Sequence, residues 1–346
     1  MKNILAILII ITMLATPVCA QDLTAPTVPQ YAEKFMPQDQ SSFAEGILEV
    51  LRDALMYIRP DLKEATSVCM GIIAVILAVS LLQVFPGAPE NTVNLAGCMG
   101  IALILLRSAG SLVNLASTTV TGISEYGKLL LPVMTAALAG QGSISASAAL
   151  YTATALFDAL LTSMIGKLLT PMVYVFLLLA VACSAIGEDM LKKMRDTVKW
   201  VISWSLKTIL YIYTGYISIT GVVSGVTDAA ALKAAKLTIS SVVPVVGSIL
   251  SDASEALLVS AASLKNAAGI YGLFAIIAIW IGPFVQIGVH YLLLKATGAV
   301  CSVFASKAST ELVQDFSSAL GLLLAMTGTI SLLLLISLVC FLRGVG

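Results

Sequence analysis

Thr66-Ser67-Val68-Cys69-Met70-Gly71-Ile72-Ile73-Ala74-Val75-Ile76-Leu77-Ala78-Val79-Ser80-Leu81-Leu82-Gln83-Val84-Phe85 runs for 20 residues without a charge and stops at Pro86-Gly87-Ala88-Pro89. At a rise of about 1.5 Å per residue, such a helix crosses the roughly 30 Å hydrocarbon core of a bilayer. The stretch reads as a clean membrane span. Its character extends over the whole chain, which is 59% apolar and 11% charged over 346 residues, with mean hydropathy +1.00. A soluble domain carries roughly 25% charged residues, so the fold class is all-α: a polytopic helical membrane protein. Net charge is zero and the longest basic run is Lys192-Lys193, which argues against nucleic acid as a partner.

Toward the N-terminus, Lys2, the short apolar run Ile4–Leu14 and Val18-Cys19-Ala20 have the three-part form of a cleavable signal peptide, 1–20. Residues 21–64 then form an acidic segment with eight acids against four bases, short and extracytoplasmic. Pro26, Pro29 and Pro37 keep its start irregular, whereas Phe43, Ile47, Leu51, Leu55 and Ile58 recur at helical spacing. This predicts an amphipathic helix that lies on the membrane, against a partner, or on the first span.

Residues 65–346 form the membrane domain. After the first span come Val93–Val113 with Arg107, a mixed stretch 115–139 with Glu125 and Lys128, and Ile144–Ile165 with Asp158. Leu168–Ile186, Trp200–Val223 with Lys207, Ala267–Leu294 with a kink at Gly282-Pro283, a weak candidate at 296–305 and Phe316–Leu342 complete about seven or eight spans. The loop from Gly187 to Lys199 carries Lys192, Lys193, Arg195 and Lys199. An external N-terminus followed by three or five spans puts that loop in the cytosol, as the positive-inside rule requires. Trp200 and Trp204 then sit at the adjoining interface. Gly221 and Gly225 form a GxxxG pair, suited to bundle packing or to self-association as a homo-oligomer.

Several chemistries are excluded or left without support. Gly122-Ile123-Ser124-Glu125-Tyr126-Gly127-Lys128-Leu129 matches a phosphate loop except at its end, where Leu129 replaces the hydroxyl that would bind Mg²⁺. It is a chance match, and any energy input comes from a partner. His290 is the sole histidine, so multi-imidazole zinc sites and HExxH proteases are ruled out. It reads as an interfacial residue next to Tyr291. Cys69, Cys98, Cys183, Cys301 and Cys340 stand singly in apolar runs and read as small buried hydrophobes. No enzyme activity and no cofactor are expected. Asp158, Lys207 and Gln286 are the intramembrane polar candidates: Asp158 either pairs with a base on another helix or lines a polar path.

The region from Asp228 to Asn266 differs in kind. Asp228, Lys233 and Lys236 lead into an apolar stretch broken by Pro244 and Gly247. Asp252 and Glu255 follow on one helix face, then Lys265 and Asn266. Non-helical backbone at membrane depth persists only where protein or a water-filled cavity satisfies it. Residues 240–256 are therefore either a re-entrant element lining a conduit or an external interfacial hairpin, with these residues as candidate conduit or packing core.

Leu232-Lys233-Ala234-Ala235-Lys236-Leu237, Val243-Pro244-Val245-Val246-Gly247, Ser251-Asp252-Ala253 and Leu264-Lys265-Asn266-Ala267-Ala268-Gly269-Ile270 together closely resemble the stage III sporulation protein AE family. The likeness covers nearly the whole chain, although the segment before the first span is short for the family. The resemblance implies a sporulation membrane protein made in the mother cell and placed in the membrane that surrounds the forespore. It implies membership of a channel or secretion-like complex with ring-forming proteins, a secretion-type ATPase and other membrane partners. A non-conducting scaffold that recruits those components is the alternative.

Overall fold

The computed structural model describes residues 26–37, 43–84, 89–140, 144–219 and 267–343. Among them the elements are helical: α1 (Gln30–Glu33), α2 (Phe43–Met56), α3 (Arg59–Gln83), α4 (Glu90–Gly140) and α5 (Ile144–Met164). A π-helical turn (Ile165–Leu169) joins α5 to α6 (Thr170–Ile186), followed by α7 (Asp189–Ile219), α8 (Ala267–Cys301) and α9 (Lys307–Arg343). Five stretches are long and apolar enough to cross a membrane: Arg59–Gln83, Asn91–Ala136, Ser147–Ile186, Gly269–Cys301 and Lys307–Leu342.

α9 is the axis of the bundle. It begins where the Ser306 side chain accepts the Ser309 N–H at 3.3 Å, a hydroxyl cap on an otherwise orphaned donor. From Leu322 to Ser331 every residue is buried, whereas a surface helix buries a single stripe. The partners that surround it are α4, α5, α6, α7 and α8. α4 runs parallel to it, since Cys98 meets Ser309 at 3.5 Å near one end and Gly127 faces Leu334 toward the other. α8 runs antiparallel, with Gly272 against Leu338. In lipid no hydrophobic force drives helices together, and association rests on close packing of this kind. A Cβ on Gly127 would lie 2.8 Å from Leu334 Cδ1, so a larger residue there would force Leu334 to move.

The structure revises several sequence boundaries. Val93–Val113 and 115–139 are one helix, which continues through Pro132. Ile144–Ile165 and Leu168–Ile186 are also continuous, joined by the π-helical turn. Polarity had marked breaks at both places, yet hydroxyls such as Thr118 and Thr119 bond back to the carbonyls of Asn114 and Leu115 and leave the helix intact. Residues 296–305 form the end of α8 and a tight turn, not a span. The basic stretch 187–199 is a loop only at Gly187 and Glu188. Gly187 has φ +77° and its N–H bonds to the Cys183 carbonyl at 2.9 Å, a left-handed stop for α6. α7 is helical as expected but is not among the five apolar stretches. The expected amphipathic helix is α2, and its support is α8, not the first span: Phe274 of α8 covers Gly46. Its inward face is Val50 and Ala54, while Leu55 is exposed. The five cysteines from Cys69 onward are free and buried.

Gly127→Val is expected to destabilise the bundle by about 1–3 kcal/mol through overpacking against Leu334. Gly110→Ala, which has open space around its Cβ position, is expected to be neutral or slightly stabilising. Thermal unfolding of the detergent-solubilised chain compares the two; equal melting temperatures would remove Gly127 from the account of α9 packing.

Candidate functional site

A polar seam crosses the apolar bundle beside the C-terminal half of α9. On α5, Thr154, Asp158 and Thr162 recur every fourth residue and so share one face. Asp158 is 2% exposed, and its Oδ2 accepts the Ser124 hydroxyl of α4 at 2.6 Å. One turn away, Thr154 Oγ1 donates to Ser337 Oγ of α9 at 3.1 Å and lies 3.3 Å from the Tyr213 hydroxyl of α7. Ser337 gives its own proton to the Leu333 carbonyl at 2.7 Å. It therefore accepts from Tyr213, with which it shares a short hydrogen bond. Hydroxyls thus join α4 to α5, and α5 and α7 to α9, where side-chain shape alone would leave the helices free to slide. The seam is not fully satisfied: Asp158 Oδ1 and Thr162 Oγ1 are buried without a hydrogen-bond partner. Such groups are costly to strand.

A second polar contact sits toward the N-terminal end of α9. Arg195 Nη1 of α7 donates to Asp315 Oδ2 at 2.6 Å, and its Nε to Asp196 at 3.0 Å. Arg195 and Asp315 are 13% and 15% exposed, so this is a half-sheltered pair that pins α7 to α9. Lys199 adds a bond to Ser318 at 3.1 Å.

A cavity of about 420 Å³ lies between the N-terminal segment and the polar middle of α4, bounded by Pro29, Tyr31, Thr118, Thr121 and Glu125. Burial, reinforced by the Glu125 carboxylate, pushes the Tyr31 phenol above its ordinary range.

The sequence candidates divide into three groups. Asp158 is at the centre of the seam, but its bonding partner is a serine hydroxyl and not a basic side chain. Lys207 is exposed on α7 and Gln286 is half-buried on α8; neither joins the seam. His290 is buried within the bundle, 2% exposed, and its Nδ1–H donates to the Gln286 carbonyl at 3.0 Å. Asp228, Lys236, Pro244, Gly247, Asp252, Glu255, Lys265 and Asn266, with Gly221 and Gly225, lie outside the described residues. The seam residues missed in the sequence are Ser124, Thr154, Tyr213 and Ser337. The threefold i, i+4 recurrence of polar residues on α5 was a legible signal for part of it. Among the described residues no group of three His, Cys, Asp or Glu side chains is placed to hold a metal.

A family model described as stage III sporulation protein AE matches residues 28–344. The chain belongs to the stage III sporulation protein AE family. The match takes in the seam and both ends of α9. Stage III sporulation protein AE of Bacillus subtilis (strain 168) is 23% identical over 242 residues, 69% of this chain. The alignment spans 60% of that relative's own length. No solved structure matches. Membership of the family implies a role in sporulation, and the five apolar helices fit a membrane protein.

Tyr213→Phe and Ser337→Ala are each expected to cost about 1 kcal/mol, within the range of hydrogen bonds between membrane helices. The double variant should cost less than the sum, because both changes remove one shared bond. Thermal unfolding of the four proteins in detergent gives the coupling, and strictly additive losses would contradict the bond.

Proposed function

We propose that this chain is a membrane platform subunit of the channel or secretion-like complex that joins mother cell and forespore during sporulation. It sits in the mother-cell membrane around the forespore, its signal peptide removed and residues 21–64 on the extracytoplasmic side. It has no catalytic activity of its own and takes its energy from a secretion-type ATPase in the same assembly. Ring-forming proteins and other membrane proteins are its partners.

The observation that carries this reading is the filled axis. Leu322–Ser331 of α9 is buried at every position, so side chains occupy the centre of the described bundle. That supports a passage formed between subunits, or lined by Ser240–Glu255, in place of one bored through α9 and its neighbours. A filled axis also favours a second reading, a scaffold that recruits the other components and conducts nothing. The two differ at Asp252 and Glu255: in a conduit they face water and their loss impairs transport, whereas in a scaffold recruitment is what fails.

The experiment is cysteine accessibility across residues 240–256 in a cysteine-free background, in sporulating cells, with a membrane-impermeant thiol reagent. Periodic labelling between Pro244 and Asp252, with assembly intact, is the expected result for the conduit. Uniform protection with intact assembly moves the assignment to the scaffold. Wild-type sporulation in a strain lacking the chain would overturn both.

A further inference from the structure

The buried carboxylate of Asp158 has no opposite charge at bonding distance. Of its two oxygens only Oδ2 is engaged, by Ser124, while Oδ1 is buried and without a hydrogen-bond partner. None of the ion pairs among the described residues includes it. Lys128, one turn beyond Ser124 on α4, attracts it electrostatically but is itself exposed and outside ion-pair distance. The other titratable groups near the seam are Tyr213 of α7, which feels the Asp158 charge, and Cys340 of α9; neither supplies a positive charge. A bare carboxylate in these surroundings is strongly unfavourable and is neutralised in practice.

The neighbouring oxygens say what could neutralise it. Thr162 Oγ1, one turn along α5 on the same face, is also buried and without a hydrogen-bond partner. Immediately beyond it the helix widens into the π-helical turn Ile165–Leu169, a distortion found frequently at functional sites. Carboxylate and hydroxyl oxygens form a hard donor set, matched to hard cations and poorly suited to softer metals. With a single carboxylate, one positive charge balances the site.

We propose that Asp158, Thr162 and Ser124 form a binding site for one small monovalent cation, sodium or a proton, which neutralises the carboxylate inside the bundle. Thr162 and Ser124 offer hydroxyl oxygens, and Asp158 provides the charge. Occupancy holds α5 against α4 next to the Tyr213–Ser337 contact; an empty site leaves a charge that favours water and loosens that seam. Ion-bearing residues in membrane proteins commonly face such interiors. The site does not depend on whether the complex conducts.

The test uses the purified full-length chain in detergent and dicyclohexylcarbodiimide, which attacks protonated carboxyls in apolar surroundings. The carboxyl proton passes to a carbodiimide nitrogen, the carboxylate oxygen adds to the central carbon, and rearrangement leaves a stable N-acylurea. Mass spectrometry of the peptide containing Asp158 is expected to find this adduct in the wild type and to lose it in Asp158→Asn. Sodium chloride, exchanged for choline chloride at equal ionic strength, identifies the occupant. A rate lowered about tenfold at sodium tenfold above its Kd assigns the site to sodium. A rate indifferent to sodium that falls with rising pH assigns it to the proton. No adduct at any pH, together with a melting temperature unaffected by sodium, would overturn the proposal. So would an adduct that appears only in Lys128→Gln, since Lys128 would then be the neutralising charge.

Discussion

Burial of α9 on every side from Leu322 to Ser331 constrains the helices around it. Polar groups on an enclosed stretch have no water at hand and are costly unless bonded within protein; Ser331 Oγ is buried there without a hydrogen-bond partner. α9 meets this locally where it can: Thr329 Oγ1 donates to the Ala325 carbonyl at 2.6 Å, Thr327 to Leu324 at 3.2 Å and Ser337 to Leu333 at 2.7 Å. The hydroxyls that turn back onto the helix leave its remaining surface apolar, and five other helices can close over it. Ser337 does both, bonding its own backbone and accepting from α5 and α7. Removing side-chain volume elsewhere then becomes necessary, which is why Gly127 faces Leu334 and Gly272 lies between Leu130 and Leu338.

Length is the second constraint. α9 has 37 residues and α4 has 51, or about 55 and 76 Å at the helical rise, against a hydrocarbon core of roughly 30 Å. Both helices are longer than a bilayer core is thick. The N-terminal segment packs against the bundle. Phe35 sits over Gly282 on α8, Tyr31 reaches Gly122 on α4, and Phe274 lies over Gly46 of α2. Polar residues in the middle of α4, such as Thr121 and Glu125, line a cavity with this segment. The acidic stretch at the start of the chain is therefore part of the bundle's packing.

Much of the helical framework was legible in the sequence, because apolar runs bounded by Pro and Gly have one stable form in a bilayer. Thr66–Phe85 and Phe316–Leu342 lie within or close to α3 and α9. Reading breaks at 114 and 166–167 failed for a physical reason. Local polarity suggests a loop, but Thr and Ser hydroxyls satisfied by the preceding turn cost a helix little, and Lys167 extends its charge to the surface. The site was less legible. Asp158 stood out as a charge in an apolar run, but Ser124 lies 34 residues away in sequence, and Tyr213 and Ser337 lie 124 apart. No local pattern encodes such pairings; they follow from the parallel course of α4, α7 and α9 and from the antiparallel course of α5.

Two polar contacts tie α7 to α9. Arg195 meets Asp315 toward one end of α9 and Tyr213 meets Ser337 toward the other. The two anchors on α9 are about 33 Å apart at the helical rise. Between them α7 presents Trp200, Trp204 and Lys207 outward, with the two indole rings stacked at 5.9 Å. Held at these two points, α7 keeps that aromatic face directed away from α9. The same geometry fixes the exit of the chain. α7 ends near Ser337, and α8 begins with Gly269 against Leu342, so residues 219 and 267 lie toward the same end of α9. The seam that holds Asp158 therefore sits toward the last described residue of α7 and the first of α8.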